Sequence, residues 1–394
     1  MVHSNEYTIG LRIQLHGLFR VNQCVSDSNI CRSAFRFLSG LIALLSMDLC
    51  RAWRHGIFRV ARAPVDFLLP IGGESGYPAS VTLEARHALK KFRRKITGYA
   101  ACLLPFEKDG RIAEDAFCES VRRTTAAGLG CAVNMDTGYA NHLTTDERRR
   151  ILRWTQETIA GHRDYLAGVY VEGREGDLVD LYRREIDEVV RFGGTPILFQ
   201  CSRFHDWEAE RIVDLYASVC LGHESVFAFE LGRMFAPNGM IFDEATVRGL
   251  MRIPELKGMK HSSLDRSMEL RRLAMRDEHR PGFMIFTGND LGIDMVEYGS
   301  DYLLGLAAFC PEKFAERDAY WLSGDERHAA LSDALQHLGN VGFRSPVPAY
   351  KHSCAVFQHL LGRIPSPEPH PLSPRRPVWE AEILADCAAR LGYV

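Results

Sequence analysis

The sequence has no excess of charge of either sign. Lysine and arginine number 48 and aspartate and glutamate 50, which gives a formal net charge of -2. A surface that binds nucleic acid is typically basic, so we expect no nucleic-acid partner. The composition, 46% hydrophobic and 25% charged, is that of an ordinary globular protein. A length of 394 residues allows one large domain or two to three ordinary ones.

Hydrophobic runs long enough to cross a membrane are also missing. The most apolar stretch is "AFRFLSGLIALLSM" (34–47), which includes Arg36. A spanning helix needs roughly 20 apolar residues, and this stretch lies too deep in the chain for an ordinary signal peptide. We therefore expect no membrane partner. Residues 1–60 are predicted to be an irregular extension, with Met47 as an alternative start, and residues 61–98 a lead-in segment.

Patterns of disulfide pairing and of metal binding are absent from the sequence. The eleven cysteines are scattered and none forms a CxxC pair, which favours a reduced, cytoplasmic setting. There is no HxH or HExxH spacing of the kind that binds zinc. We expect no cofactor.

What the sequence does contain, from Tyr99 onwards, is a regular alternation of apolar runs and amphipathic stretches. The runs are apolar almost throughout, which is typical of parallel strands buried on both faces. There are eight, at 99–105, 129–135, 165–171, 195–201, 225–231, 256–262, 282–288 and 301–309. Eight such units predict a closed (β/α)8 TIM barrel over residues 99–324. An open doubly wound sheet is the alternative, but no glycine-rich phosphate loop follows the first strand.

Helix signals support this organisation. Thr144 and Glu147 have the spacing of a capping box, so a helix is predicted to begin there. Beyond Gly324 the alternation stops and three helical patterns follow. Residues 325–394 are therefore predicted to form a C-terminal helical appendage.

Unusual residues, most of them polar, occur where four of the predicted strands end. In a barrel of this type the carboxyl ends of the strands form the functional face. The residues concerned are Asp136 and Thr137 after strand 2, Phe229 and Glu230 on strand 5, Lys260 and His261 on strand 6, and Gly288, Asn289 and Asp290 after strand 7. We expect them to meet at one rim.

Lys260, in "GMKHSS", has the most distinctive position, because a lysine within a buried strand is costly. Burial lowers the pKa of a lysine, and a neutral amine can attack a carbonyl group to form a Schiff base. The alternative is a structural ion pair with Asp290 or Glu230. The residues alone leave both interpretations open. His261 follows directly, so strand alternation points it away from the barrel axis.

Three segments extend the argument: "ELKGMKHSS", "FTGNDLGIDMVEYGSDYLLGLAAFCPEKF" and "PVPAYKHSCAVFQHLLG". Together with "LLPFEKDGRIAEDAF", they resemble the dihydrodipicolinate synthase/N-acetylneuraminate lyase family of class I Schiff-base aldolases. The resemblance implies that Lys260 is the Schiff-base lysine and that Gly288 and Leu304 line the substrate site. It also implies a homodimer or homotetramer, a small carbonyl substrate such as an oxo acid or sugar acid, and no cofactor.

The departures from the family concern the proton-transfer residues. The family's "GTTGE" loop is here "MDTGY", so Thr137 keeps one substrate-binding position and Asp136 replaces the other threonine. Phe229 or Glu230 stands where the family has a proton-relay tyrosine. We therefore hypothesise that Asp136 or Glu230 performs the proton transfer, and that Asp136 repels a substrate carboxylate placed as in the family.

Three further residues are candidates for the functional site. Tyr139 and Tyr170 are substitute proton donors, and Asn289 is a substrate-binding candidate that also suits capping of the following helix. Two other functions remain open. A metal-dependent lyase would use Asp136, Glu230, His261 and Asp290 as ligands, and a barrel that only binds a ligand would need none of this chemistry.

Overall fold

The computed structural model describes residues 87–160 and 165–393. The predicted extension at 1–60, the apolar run at 34–47 and most of the lead-in segment at 61–98 lie outside these residues. Within the described ranges no helix is both long and apolar enough to cross a membrane.

Eight parallel strands close into a barrel in sequence order, as the sequence predicts. They are β1 (Gly98–Ala101), β2 (Gly130–Val133), β3 (Leu166–Val169), β4 (Thr195–Phe199), β5 (Val226–Leu231), β6 (Leu256–Ser262), β7 (Met284–Thr287) and β8 (Asp301–Leu304). The pairing of Ala100 with Leu304 joins β1 to β8 and completes the barrel. The fold is thus a (β/α)8 barrel and not the open sheet.

The helices that cover the barrel follow the strands along the chain. They are α1 (Glu114–Ala126), α2 (Thr145–Ile159), α3 (Leu178–Arg191), α4 (Ala209–Cys220), α5 (Glu244–Leu250), α6 (Arg266–His279) and α7 (Pro311–Ser323). The predicted capping box is confirmed at α2, where Thr144 Oγ1 accepts the Glu147 amide and the Glu147 carboxylate accepts the Thr144 amide. These bonds satisfy two amide donors that a helix start would leave unpaired.

Three more helices form the C-terminal part. They are α8 (Arg327–Gly342), α9 (Tyr350–Leu360) and α10 (Glu380–Arg390). The sequence predicts helices here but treats them as an appendage. In the structure, the first turn of α9 reaches the carboxyl end of β2, where Tyr350 and Lys351 contact Asp136. The C-terminal region therefore contributes side chains to the mouth of the barrel.

The register between β5 and β6 determines which residues share a face. Phe229 pairs with Lys260, and Glu230 pairs with His261. Because successive side chains of a strand point to opposite faces, the first pair lies on one face of the sheet and the second pair on the other.

Candidate functional site

Lys260 lies on the inner face of the barrel with only 7% of its surface exposed. Its Nζ is 4.4 Å from the centre of the Phe229 ring. Burial lowers the pKa of Lys260 to about 8, and the nearby Asp290 and Asp136 carboxylates limit this shift. The amine therefore has a substantial neutral, nucleophilic fraction close to neutral pH.

Phe229 is the β5 residue that faces this amine. Its ring packs edge-on against Phe199 of β4, with the ring centres 4.7 Å apart. The sequence does not decide whether Phe229 or Glu230 faces the Lys260 amine. The β5–β6 register shows that Phe229 does. The inner face of β5 thus presents a hydrocarbon ring to Lys260, with no group that can exchange a proton.

Glu230 lies on the outer face, away from Lys260. Its carboxylate binds His261 Nδ1, accepts the Phe242 amide at 2.7 Å and lies 3.4 Å from Arg272 Nε. Burial alone would raise the pKa of Glu230, but His261 and Arg272 hold it below its ordinary value. The predicted proton transfer from Glu230 to an imine on Lys260 does not fit this position, because the strand itself separates the two side chains.

His261 lies on the same outer face, as strand alternation predicts. It is buried, and its Nε2 is 2.7 Å from Ser263 Oγ. Burial alone would lower the pKa of His261, and the adjacent Glu230 raises it above its ordinary value. The imidazole ring is therefore held by Glu230 and Ser263 on the outer face of β6.

Asp136, by contrast, lies at the barrel mouth within a hydrogen-bonded cluster. Tyr350 donates its hydroxyl to Asp136 Oδ2 at 2.9 Å, and Lys351 Nζ lies 3.0 Å from Oδ1. The Tyr350 hydroxyl is also 2.8 Å from Thr137 Oγ1. The cluster joins a carboxylate, an ammonium group and two hydroxyls in one connected chain.

The Lys351–Asp136 pair changes the expected electrostatics of the site. From the sequence alone, Asp136 is expected to be an unpaired charge that repels a substrate carboxylate. In the structure the Lys351 ammonium compensates this charge at contact distance, so the expected repulsion is largely cancelled. Lys351 is itself only 2% exposed, so the pair is screened little by solvent.

Tyr350 and Lys351 were missed by the sequence argument. They belong to α9, some 214 residues beyond Asp136 along the chain, and no local spacing links the two segments. One signal was present: a lysine in the first turn of a helix faces the positive end of the helix dipole. A carboxylate partner is one explanation for such a position.

Gly288 provides the space that the Lys260 side chain occupies. A Cβ atom at this position would meet Ser262 Oγ and would lie 2.7 Å from Lys260 Cε. Any larger residue would therefore displace the lysine stem. Asn289 Oδ1 accepts the Leu291 amide at 3.1 Å, which is a turn-stabilising contact. Leu304 is fully buried on β8.

Asp290 is the second carboxyl group near Lys260. It is buried, and its Oδ1 accepts the Leu306 amide at 2.7 Å. Burial raises the pKa of Asp290 to about 7, against the opposing effects of the Leu306 amide and the Lys260 ammonium. Asp290 and Lys260 therefore both change protonation near neutral pH.

A cleft of about 390 Å³ opens at the barrel mouth over the ends of β2 to β5. Its lining includes Asp136, Tyr170, Phe199 and Lys351. Lys260 does not line it, but Phe199 contacts Phe229, and Phe229 contacts the amine. The cleft and the amine are thus neighbours separated by an aromatic wall. Tyr170 faces the cleft, whereas Tyr139 is fully buried against Phe106.

The four residues of the metal alternative do not converge. Asp136 and Asp290 lie toward Lys260, while Glu230 and His261 bind each other on the outer face. Within residues 87–160 and 165–393, no three histidine, cysteine or acidic side chains gather as a metal site would require. The predicted four-ligand set is therefore incompatible with the placement of its members.

Comparison with known proteins gives a structural likeness only. No protein-family model matches the chain, and no curated protein does. Among solved structures, a dihydrodipicolinate synthase from Thermotoga maritima superposes with a TM-score of 0.66 at 17% identity, covering 76% of this chain and all of its own. The chain has the dihydrodipicolinate synthase fold. The match in fold agrees with the resemblance seen in the sequence motifs.

Two further structures extend the likeness. A monomeric variant of dihydrodipicolinate synthase has a TM-score of 0.66 at 18% identity and covers 76% of this chain and 97% of its own. A prophage protein of the same family from Escherichia coli, solved with pyruvate, has a TM-score of 0.65 at 16% identity and covers 76% of this chain and 99% of its own.

The lowered pKa of Lys260 leads to a prediction about its reactivity. Competitive labelling with acetic anhydride, followed by peptide mass spectrometry, is expected to show a midpoint near pH 8 for Lys260. The variant Asp290→Asn should move this midpoint lower, because it removes a charge that favours the protonated amine. A midpoint above pH 10 in both proteins would contradict the assignment of a desolvated amine.

Proposed function

We propose that this chain is a divergent class I lyase of the dihydrodipicolinate synthase family. It acts on a small carbonyl substrate through an imine on Lys260. The observation that carries the proposal is a buried lysine at the carboxyl end of β6, with a pKa of about 8, set in a barrel of that fold. Lysines of this kind are suited to Schiff-base chemistry.

The chemistry begins when the neutral Nζ of Lys260 attacks the substrate carbonyl carbon. The oxygen takes up protons and leaves as water, and the product is an iminium ion. This cation accepts the electron pair of an adjacent C–C or C–H bond, so that the bond breaks and an enamine forms. Cleavage, condensation and dehydration all use this step, and no metal is required for it.

Proton transfer is assigned to the cluster around Asp136. Thr137, Tyr350 and Asp136 form a continuous chain in which each hydroxyl can pass a proton toward the carboxylate. Burial raises the pKa of Tyr350 well above its ordinary value, so Tyr350 stays protonated and transfers a proton only as it receives one. The Lys351 ammonium holds the carboxylate in place. General acid–base catalysis requires such a positioned group.

The substrate-binding role is assigned to the inner-face residues around the amine. Phe229 packs on Lys260, Gly288 makes room for its stem, and Leu304 lies in the barrel core on β8. Thr137 and Asn289 supply polar groups at the rim. Pyruvate is a reasonable first probe, because it is bound in solved structures of the same fold.

The proposal also includes a cytoplasmic location and a homodimeric or homotetrameric assembly. The location follows from the scattered cysteines without CxxC pairs, and the assembly follows from the resemblance to the family. A monomeric variant exists among the solved structures of the same fold, so sedimentation of the purified protein is the direct test of assembly.

Exchange of the protons next to the carbonyl group tests the imine. In heavy water, wild-type protein is expected to introduce deuterium into pyruvate or another 2-oxo acid, as followed by NMR. The variants Lys260→Met and Lys260→Arg should both lose this exchange, because neither can form an imine. Retention of exchange in Lys260→Arg would show that positive charge alone suffices and would contradict the proposal.

A second comparison separates the two acidic candidates. The variants Asp136→Asn and Tyr350→Phe are expected to reduce exchange about 100-fold, the usual contribution of a general acid or base. Borohydride trapping on Lys260 should remain possible in both. Glu230→Gln should keep the pH–rate profile of the wild type, because Glu230 lies on the outer face. If Glu230→Gln, and neither of the other two variants, lost the dependence of the rate on pH at acidic pH, the assignment of proton transfer to Asp136 would be wrong.

A further inference from the structure

The cleft over β2 to β5 has a wall that is largely apolar. Phe199, Leu231 and Phe235 lie along it, and each is less than a tenth exposed. Ala236 and Pro348 add further hydrocarbon surface. For a substrate joined to Lys260, this cleft is the adjacent space, because Phe199 lines the cleft and contacts the Phe229 ring beside the amine.

The charged groups of the cleft already have partners. Glu172 accepts the Ser202 amide at 2.7 Å, the Ser202 hydroxyl at 2.6 Å and the Asn238 side-chain amide at 2.8 Å. Lys351 is paired with Asp136. The charged groups of the lining are the carboxylates of Asp136 and Glu172 and the ammonium group of Lys351. Its described residues include no arginine.

Two of the neutral polar side chains of the lining are occupied, whereas Ser373 Oγ is buried without a partner among the described residues. Gln200 donates to the Leu231 carbonyl at 2.8 Å and accepts the Leu231 amide at 3.1 Å. Asn141 Nδ2 lies 3.3 Å from His142 Nε2. A ligand rich in hydroxyl groups would find Ser373 Oγ free but would have to break the Leu231 contacts to pair with Gln200, and an unpaired polar group in a buried site is costly.

We infer that the part of the substrate held in this cleft is uncharged and apolar, such as an aromatic or branched aliphatic group attached to the reacting carbonyl compound. A carboxylated fragment is disfavoured, because Asp136 and Glu172 are acidic and the Lys351 ammonium is already paired with Asp136. A polyhydroxylated fragment is disfavoured, because the wall is largely apolar and Gln200 is already hydrogen-bonded. This inference rests on the proposed function, in which Lys260 is the reacting amine. It narrows the substrate class from oxo acids and sugar acids in general to carbonyl compounds that carry an apolar group.

The test uses the variant Lys260→Met, in which no imine can form and binding alone is measured. Two ligands of similar shape are compared by calorimetry: 4-methylbenzyl alcohol and 4-carboxybenzyl alcohol. We expect the neutral ligand to bind at least about 10-fold more tightly, because the carboxylate must be desolvated without a free cation to receive it. Erythritol, which is neutral and polyhydroxylated, should bind more weakly than the aromatic alcohol.

A variant of the cleft locates the binding. Ala236→Trp fills the cleft and should abolish binding of 4-methylbenzyl alcohol, whereas Ala330→Trp, on the exposed surface of α8, should leave it unchanged. Ala236 is partly exposed and lies in a loop, so this change is not expected to prevent folding. Circular dichroism of both variants confirms that they are folded.

The possible outcomes are distinct. Equal or tighter binding of the carboxylate ligand, no binding of the neutral ligand, or full binding in Ala236→Trp would each overturn the inference. Because Lys260→Met cannot form an imine, these results do not depend on Schiff-base chemistry. A failure of deuterium exchange in the wild type would count against the proposed function alone.

Discussion

The burial of one primary amine inside a closed barrel is the constraint on which the rest of this structure depends. An ammonium group removed from water is costly, so the pKa of Lys260 falls to about 8. Within residues 87–160 and 165–393, no acidic side chain forms a direct ion pair with Lys260 that would restore the charge fully. The Phe229 ring packs against the amine. The Asp136 and Asp290 carboxylates affect its pKa only through longer-range electrostatic attraction. The result is a nucleophile that is available near neutral pH.

The two faces of β6 have different roles. The inner face holds Lys260, and Gly288 on the neighbouring strand end gives its stem room. The outer face holds His261, which is fixed by Glu230 and Ser263. A buried charge pair of this kind is weak evidence for stability, but breaking it leaves an uncompensated charge. Its position behind Lys260 makes it an anchor for the strand that carries the amine.

Periodicity was enough to predict the barrel, because near-continuous apolar strands alternating with capped helices fit a parallel sheet buried on both faces. The same alternation placed Lys260 inward and His261 outward. The choice between Phe229 and Glu230 required the β5–β6 register, which a single sequence does not contain. The pairing of Asp136 with Lys351 and Tyr350 joins β2 to the first turn of α9, and long-range contacts of that kind leave no spacing signal.

The most direct test of the account is to trap the imine. The wild-type protein is incubated with 2-oxo acids and neutral aromatic aldehydes, reduced with borohydride and analysed by peptide mass spectrometry. We expect one covalent adduct, located on Lys260 and absent from exposed lysines such as Lys108 under the same conditions. Adducts spread over surface lysines, or a folded protein in which Lys260 stays unmodified with every carbonyl compound, would contradict the central claim.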